Sequence, residues 1–284
     1  MMSRASSSVV ILCLLCMGAS SLVGQTTRRT YLALGDSVAF GFIDQAGNEY
    51  GNPENFIGYP DYVGQTLGMR DFDAACPGET TGSFLSTTAP DDGCRLFKLL
   101  APLHLAYSST QSRFARAFLG NHPETRLVTV MLGANDLFLL QKACANDPAC
   151  VANGLPGVLG AIGTNVATIL GEIRSAGYEG ILVVVNYYST DYSDATGTQI
   201  TEQLNQTLAV AAQGAGAVVA DVFTAFQIVA SNPLAPGKTC NAGLLNASTQ
   251  DQFSCDVHPS QSGQKLIART VVDTFRAAGR KPAE

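Results

Sequence analysis

The chain has 284 residues and a formal net charge of −6. Only 14% of its residues are charged, well below the roughly 25% of an ordinary globular protein. Nucleic acid and anionic membranes are not expected as partners, because both need clustered Lys and Arg and the sequence has no basic block.

The first residues have the pattern of a secretory signal peptide. Arg4 precedes a short apolar run at 9–17, and small residues follow up to Gly24. The run is too short to span a bilayer stably, so no membrane span is expected in the mature chain. We predict that residues 1–24 are removed on export, which makes the protein secreted or periplasmic.

Five short apolar runs that alternate with helical patterns predict a parallel sheet. These runs are 31–34, 71–75, 127–132, 181–186 and 217–221. Helices are predicted over 60–67, 112–119, 158–175, 199–213 and 260–278, where apolar residues recur with helical spacing. Segments 80–93 and 231–253 are interpreted as long surface loops rather than interdomain linkers. The pattern predicts a single α/β domain over residues 28–280, built as a three-layer α/β/α sandwich on a mostly parallel sheet of about five strands.

The sequence contains eight cysteines, whose number and positions indicate the redox state of the compartment in which the protein folds. Cys13 and Cys16 fall in the predicted signal, which leaves an even number in the mature chain and indicates disulfides in an oxidising compartment. Sequence proximity favours the pairs Cys76–Cys94, Cys144–Cys150 and Cys240–Cys255 among the possible pairings. The mature chain has no Cys-x-x-Cys motif, so a structural zinc site is not expected.

Ser37 is the candidate nucleophile, because the first predicted strand ends at Gly35-Asp36-Ser37. In an open parallel sheet, catalytic groups gather at the carboxyl ends of the strands. The alternative is that Ser37 only caps the following helix, since Ser and Asp after a strand are ordinary cap residues. Ester chemistry at Ser37 would need a base and an oxyanion hole as partners.

The candidate base is His258, one of three histidines. It lies in a predicted loop just before the last helix, and Pro259 restricts the backbone after it. His104 lies in an apolar context and His122 in a polar turn, so both are interpreted as structural or solvent-exposed residues.

Two further residues could donate hydrogen bonds to an oxyanion. Gly78 has no side chain to obstruct a substrate carbonyl, although it could simply be a turn glycine after Pro77. Asn135 follows a predicted strand and carries a neutral amide with two donors, although it could instead cap the next helix.

These residues, taken together, resemble the GDSL or SGNH hydrolase family. The matching blocks are Gly35-Asp36-Ser37, Gly78, Gly133-Ala134-Asn135-Asp136 and Asp256-Val257-His258-Pro259, with Val38 where many members have Leu. The resemblance implies a flavodoxin-like sheet and a Ser37 nucleophile with His258 as base. It also implies an oxyanion hole of the Ser37 and Gly78 N–H groups with the Asn135 side chain. No cofactor or metal ion is expected.

The sequence departs from the family at the acid that orients the histidine. Many members have it three residues before the histidine, where this chain has Cys255. Asp256, two residues before, is the candidate, and a backbone carbonyl is the alternative, because either can hold the imidazole tautomer.

The resemblance implies a monomeric serine esterase or lipase acting on a small-molecule, lipid or acylated-glycan ester. A polysaccharide O-acetyl esterase of the same fold is an alternative. A different class would be a catalytically idle carbohydrate-binding module that uses Tyr187, Tyr188 and Tyr192 for stacking. An apolar set near the catalytic blocks could form an acyl-binding wall or pack the core; it comprises Val38, Phe40, Phe42 and Phe138.

Overall fold

The computed structural model of the chain describes residues 29–248 and 254–280. The predicted signal peptide, residues 1–24, and residues 249–253 of the second long loop lie outside the described residues. The elements in chain order are β1 (Thr30–Gly35), α1 (Ser37–Phe40), α2 (Tyr59–Leu67), β2 (Arg70–Asp73), α3 (Thr81–Leu85), α4 (Cys94–Leu100), α5 (Gln111–Asn121), β3 (Thr125–Met131), α6 (Ala134–Ala143), α7 (Pro148–Ser175), β4 (Ile181–Val185), α8 (Ala195–Gly214), β5 (Val218–Ala220), α9 (Val222–Ala230), β6 (Leu245–Ala247), β7 (Cys255–Pro259) and α10 (Gln261–Ala278). Two short 3-10 turns, Gly47–Gly51 and Pro53–Asn55, lie between α1 and α2.

The five predicted strands form one parallel sheet in the order β2-β1-β3-β4-β5. Every residue of β1 is buried, as expected for a strand covered on both faces. β1 lies between β2 and β3, so β2 is added on one side of β1 and the later strands are added on the other side. Ligands bind at such a switch point, outside the carboxyl ends of the strands.

Helices cover both faces of the sheet, which confirms the predicted α/β/α fold. On one side α10 packs on α2 and α9, and on the other α7 packs on α5 and α8. The predicted apolar face of α10 is buried through Ile267, Val271 and Val272. Burial of such a stripe is the main source of stability for an amphipathic helix.

Helix α7 begins ten residues earlier than predicted, at Pro148 rather than at residue 158. Asp147 caps it by accepting a hydrogen bond from the Cys150 N–H at 2.8 Å. Pro156 lies inside the helix, and an interior proline normally indicates a helix boundary. Local sequence therefore underestimates the length of α7.

The two segments interpreted as long loops contain regular structure. Residues 80–93 include α3, which Thr80 caps through a 3.0 Å hydrogen bond from the Ser83 N–H. The other segment contributes β6, which pairs antiparallel with β7. His258 therefore lies on a short strand and not in a loop, which corrects the prediction. A pair of strands this short has too few residues to show an alternating pattern.

Within the described residues, α7 is the one helix long and apolar enough to cross a membrane by length and composition alone. It packs against four other helices and buries a row of apolar side chains that includes Ile162, Val166 and Ile169. These contacts are those of an amphipathic helix that packs one face on the core.

Three buried carboxyl groups make the stability of the fold depend on pH. Burial raises the pKa of Asp73 and of Glu79 to about 7, and that of Asp36 to about 6. Asp73 Oδ1 accepts the Ala75 N–H at 2.7 Å, whereas its Oδ2 has no hydrogen-bond partner among the described residues. A carboxyl group with a raised folded-state pKa stabilises the fold below its unfolded pKa of about 4, and this contribution is lost as the pH rises through the folded value.

We therefore expect Tm to fall by at least about 3 °C between pH 5 and pH 8. Asp73→Asn keeps the acceptor oxygen and removes the charge, so its Tm should change less over the same range. Differential scanning calorimetry of the two proteins checks this, and identical pH slopes would contradict it.

Candidate active site

Ser37 lies where β1 passes into α1. The turn begins at Gly35, where φ is +151° and a Cβ would lie 2.5 Å from the Met131 carbonyl oxygen, so only glycine fits. Asp36 caps α1, with its Oδ1 accepting a 3.0 Å hydrogen bond from the Val38 N–H. The cap is thus Asp36 and not Ser37, and Ser37 is a partly exposed residue that lines a cavity.

Ser37, His258 and Asp256 form one hydrogen-bonded chain. His258 Nε2 lies 3.0 Å from Ser37 Oγ, and His258 Nδ1 lies 2.7 Å from Asp256 Oδ2. Burial raises the pKa of Asp256, but the hydrogen bond and charge of His258 outweigh burial and leave that pKa below its usual value. An ionised Asp256 accepts the Nδ1–H, which leaves Nε2 free to accept the Ser37 hydroxyl proton.

The other two histidines lie apart from this chain. His104 Nε2 is 3.1 Å from the Phe40 carbonyl oxygen, and His122 Nδ1 pairs with Glu124 Oε1 at 2.9 Å. Both contacts belong to the packing of the fold.

Gly78 and Asn135 line the same cavity as Ser37. Gly78 has φ of +82°, and a Cβ there would lie 2.5 Å from the Asp92 carbonyl oxygen. Asn135 is in the first turn of α6, which Gly133 caps, and its Nδ2 donates to the Glu79 carbonyl at 2.9 Å. That bond fixes the amide plane and uses one of the two N–H groups, because an amide nitrogen carries two donors.

We expect Asn135→Ala to lower kcat for a soluble ester by about 10²-fold to 10³-fold, the loss that removal of one oxyanion-hole donor produces. KM should change little. Asn165→Ala is the matched control, since its Nδ2 donates to Thr81 Oγ1 at 3.0 Å outside the cavity. Steady-state kinetics check this, and an equal loss in both variants would contradict a role at the oxyanion.

A buried network links the loops that carry Ser37, Gly78 and Asn135. The Gln111 side chain accepts from the Gly35 N–H at 2.6 Å and donates to the Gly35 carbonyl at 3.0 Å. It also donates to Glu79 Oε2 at 3.1 Å. Sequence reasoning missed both residues. The position of Glu79 directly after Gly78 was the one available signal, whereas nothing local identifies Gln111.

Two consecutive tyrosines at the end of β4 contact the residues before Ser37 and before His258. The Tyr187 hydroxyl donates to Asp36 Oδ2, and the Tyr188 hydroxyl donates to the Val257 carbonyl at 2.6 Å. Asn205 holds Tyr187 through hydrogen bonds to its backbone N–H and carbonyl at 2.8 and 2.7 Å. This end of β4 therefore anchors both sides of the site.

The tyrosines do not form the stacking surface that a carbohydrate-binding module would need. Tyr187 and Tyr188 are only 5% and 7% exposed. Tyr192 is partly buried, and its hydroxyl donates to the Phe223 carbonyl at 2.7 Å. The interpretation of these residues as an exposed stacking platform is wrong, because Tyr187 and Tyr188 are buried with only an edge in the cavity wall and the Tyr192 hydroxyl is bonded to the backbone.

A cavity of about 600 Å³ opens beside Ser37. Val38, Phe42 and Phe138 line it, whereas Phe40 is fully buried in the core. The apolar set named from sequence therefore divides between cavity wall and core. Helices α6 and α8 add further apolar lining through Leu137, Ile200 and Leu204.

The described residues contain three disulfides, Cys76–Cys94, Cys144–Cys150 and Cys240–Cys255, which are the pairs that sequence proximity favours. The first lies beside Gly78, and Glu79 is close to both of its sulfur atoms. This cluster has the residue types of a metal site, but thiolates are the ligands of such sites and both sulfurs are in the disulfide bond.

Loss of Cys240–Cys255 should lower activity as well as stability, because Cys255 directly precedes Asp256. The double variant Cys240→Ala/Cys255→Ala should lose about 3 kcal/mol of unfolding free energy and show a reduced kcat. Cys144→Ala/Cys150→Ala, at the junction of α6 and α7, should lose stability alone. Denaturant titration and kinetics check this, and an unchanged kcat in the first variant would contradict it.

The model of the GDSL-like lipase/acylhydrolase family matches residues 33–266. A search of curated proteins finds no match.

Solved structures with the same fold include phospholipase A1 from Streptomyces albidoflavus NA297, with 16% identity, a TM-score of 0.58 and coverage of 88% of this chain and 99% of that chain. Axe2, an acetylxylan esterase from Geobacillus stearothermophilus, has 16% identity, a TM-score of 0.52 and coverage of 87% and 94%. LAE5, an alpha/beta hydrolase enzyme from the metagenome of Lake Arreo in Spain, has 15% identity, a TM-score of 0.54 and coverage of 87% and 95%. At these identities the likeness establishes the fold, whereas the family match covers most of the sequence. The chain therefore belongs to the GDSL-like lipase/acylhydrolase family of esterase-type hydrolases.

Proposed function

We propose that the protein hydrolyses carboxylic esters through an acyl-enzyme on Ser37. The observation that carries this proposal is the chain of contacts from Ser37 Oγ to His258 Nε2 at 3.0 Å and from His258 Nδ1 to Asp256 Oδ2 at 2.7 Å. A serine hydroxyl is a weak nucleophile until an oriented base can take its proton.

In the acylation step, Ser37 Oγ attacks the ester carbonyl carbon while His258 Nε2 takes the hydroxyl proton. The resulting imidazolium is stabilised by Asp256 and then gives its proton to the departing alcohol. Water attacks the acyl-enzyme in the second step, with His258 again acting as base, and the acid product leaves Ser37 free.

Charge that develops on the carbonyl oxygen needs donors that are already in place. The backbone N–H groups of Ser37 and Gly78 and the side chain of Asn135 take this role. Ser37 lies in the first turn of α1, so its N–H has no partner inside the helix.

The direct test is labelling with a fluorophosphonate, followed by mapping of the adduct by mass spectrometry. We expect a single adduct on Ser37 and none in Ser37→Ala. Ser189 also lines the cavity and supplies the control, because Ser189→Ala should still be labelled. Labelling elsewhere, or none in the folded wild-type protein, would refute the assignment.

We also propose that the protein is exported before it acts. Three disulfides outside the predicted signal support an oxidising compartment. Amino-terminal sequencing of protein from the medium or periplasm should show cleavage close to residue 24, and an intact Met1 would contradict this.

A further inference from the structure

The side chain of Glu79 is a buried carboxyl group beside the proposed oxyanion donors. It is only 2% exposed, and it directly follows Gly78 in the chain. Its backbone carbonyl accepts the 2.9 Å hydrogen bond that fixes the Asn135 amide. Glutamate is almost never fully buried unless its side chain is paired. The proposed mechanism does not use this carboxyl group, so its partners are the guide to its role.

Two donors hold the carboxyl group in place. Ser83 Oγ donates to Oε1, and Gln111 Nε2 donates to Oε2 at 3.1 Å. The Cys94 sulfur lies 3.5 Å from Oε2, but it is in the disulfide with Cys76 and has no hydrogen to donate. Glu79 belongs to none of the ion pairs within the described part of the chain. The position of the carboxyl group therefore depends on Ser83 and Gln111.

Gln111 connects the carboxyl group to the turn before the nucleophile. Its side chain is fully buried, and it accepts from the Gly35 N–H at 2.6 Å and donates to the Gly35 carbonyl at 3.0 Å. The two hydrogens on Nε2 are thus both used, one by Gly35 and one by Glu79, which fixes the orientation of the amide. A shift of the Glu79 side chain would therefore shift Gly35, two residues before Ser37.

The segment that follows Glu79 is bonded to the start of α6 a second time. Thr81 donates to Asp136, from its N–H to Oδ2 at 2.9 Å and from its Oγ1 to Oδ1 at 2.6 Å. Asp136 is the residue after Asn135, so this contact and the Glu79 carbonyl hold neighbouring residues of α6. Restraints on the nucleophile turn and on both oxyanion loops therefore meet at Glu79.

We propose that the Glu79 carboxylate, acting through Gln111, holds the turn of the nucleophile at a fixed position relative to the oxyanion donors on either side of the cavity. This inference rests on the proposed function, and it makes Glu79 a positioning residue that does not touch the reacting atoms. A hydrogen bond to an ionised acceptor is roughly twice as strong as one to a neutral acceptor. Loss of the charge should therefore loosen the link, and a misplacement of about 1 Å can cost about 10²-fold in rate.

The charges around Glu79 place its ionisation in a range that can be tested. Burial raises the pKa of Glu79 to about 7, although its two hydrogen bonds and the charge of Lys98 act in the opposite direction. Asp91 repels the ionised form, and burial keeps the nearby Tyr107 neutral by raising its pKa far above the usual value. Burial also raises the pKa of Asp136. The test therefore needs a variant that removes the charge of Glu79 alone.

Glu79→Gln removes the charge and keeps the shape, because its amide can accept from Gln111 and donate to Ser83. We measure kcat on soluble p-nitrophenyl butyrate between about pH 5.5 and pH 9, per Ser37 labelled by excess fluorophosphonate, so that misfolded protein does not count. The ratio of wild-type kcat to Glu79→Gln kcat should be below about twofold at the acid end, where both side chains are neutral. It should rise to about tenfold at the alkaline end, with a midpoint near pH 7. Protonation of His258 is common to both proteins and cancels in the ratio, and KM should change little.

Asp73→Asn is the matched control. It removes another buried carboxyl group whose pKa is raised to about 7, but one whose Oδ1 accepts from the Ala75 N–H and not from Gln111. Its ratio should stay flat across the same pH range. In a Gln111→Met background, Glu79→Gln should have no further effect, because the link to the nucleophile turn is already lost.

The inference is overturned by a flat ratio for Glu79→Gln, by an equal rise for Asp73→Asn, or by a rise that persists in the Gln111→Met background. A wild-type protein that does not hydrolyse the ester would count against the proposed function, and the inference would fall with it. Normal wild-type hydrolysis with a flat ratio would count against the role of Glu79 alone.

Discussion

Ser37→Ala should lower kcat for a soluble aryl ester by about 10⁴-fold to 10⁶-fold, because no other group in the proposed mechanism forms the acyl-enzyme. Ser37 is partly exposed and in the first turn of a short helix, so loss of its hydroxyl should leave Tm nearly unchanged. Stopped-flow or steady-state assay with p-nitrophenyl acetate measures the rate, and calorimetry measures Tm.

His258→Ala should cost about as much as Ser37→Ala, and the double variant should cost little more, because the two groups act as a unit. His104→Ala is the control for loss of a histidine outside the site. Ester hydrolysis retained by Ser37→Ala, or additive losses in the double variant, would show that Ser37 and His258 do not share one step.

Asp256→Asn should lower kcat by about 10⁴-fold. The amide cannot accept from His258 Nδ1–H with its nitrogen and offers no charge to the imidazolium, so the wrong tautomer is favoured. The burial of Asp256 strengthens the effect, since its side chain is only 12% exposed.

Asp44→Asn is the matched control, because Asp44 also lines the cavity. Its kcat should remain within about threefold of wild type. The pH dependence of kcat should be followed for both variants. A nearly wild-type rate in Asp256→Asn would indicate that a backbone carbonyl, and not this carboxylate, orients His258.

Local pattern was sufficient to predict the sheet. The central strands β1, β3 and β4 are apolar runs that helices cover on both faces, and the apolar face of α10 is regular over its length. The short helices α1, α3 and α4 were missed, because a single turn or two has no period to detect. Helix α9 was missed as well, because its nine residues are mostly apolar and show no polar face. The first ten residues of α7 were missed because Pro156 lies just before the predicted start, and local rules place a helix boundary at such a proline. In the folded chain the helix continues through it.

The orientation of His258 could not be chosen from sequence. Asp256 and a backbone carbonyl were equally near in the chain. The structure places Asp256 and His258 two residues apart on strand β7, so their side chains share one face and Asp256 Oδ2 lies 2.7 Å from Nδ1. Contacts between residues far apart in the chain also could not be predicted, because they depend on how the elements pack together. Tyr187 and Asp36 are 151 positions apart, and Tyr188 and Val257 are 69 apart.

Tyr187 and Tyr188 also affect how precisely Ser37 and His258 are positioned relative to each other. Their hydroxyls hold Asp36, next to Ser37, and Val257, next to His258, from adjacent residues of one backbone segment. If this segment moves, both attached residues move with it in the same direction. The distance from Ser37 Oγ to His258 Nε2 should therefore change less than the position of either residue when β4 slides within the sheet.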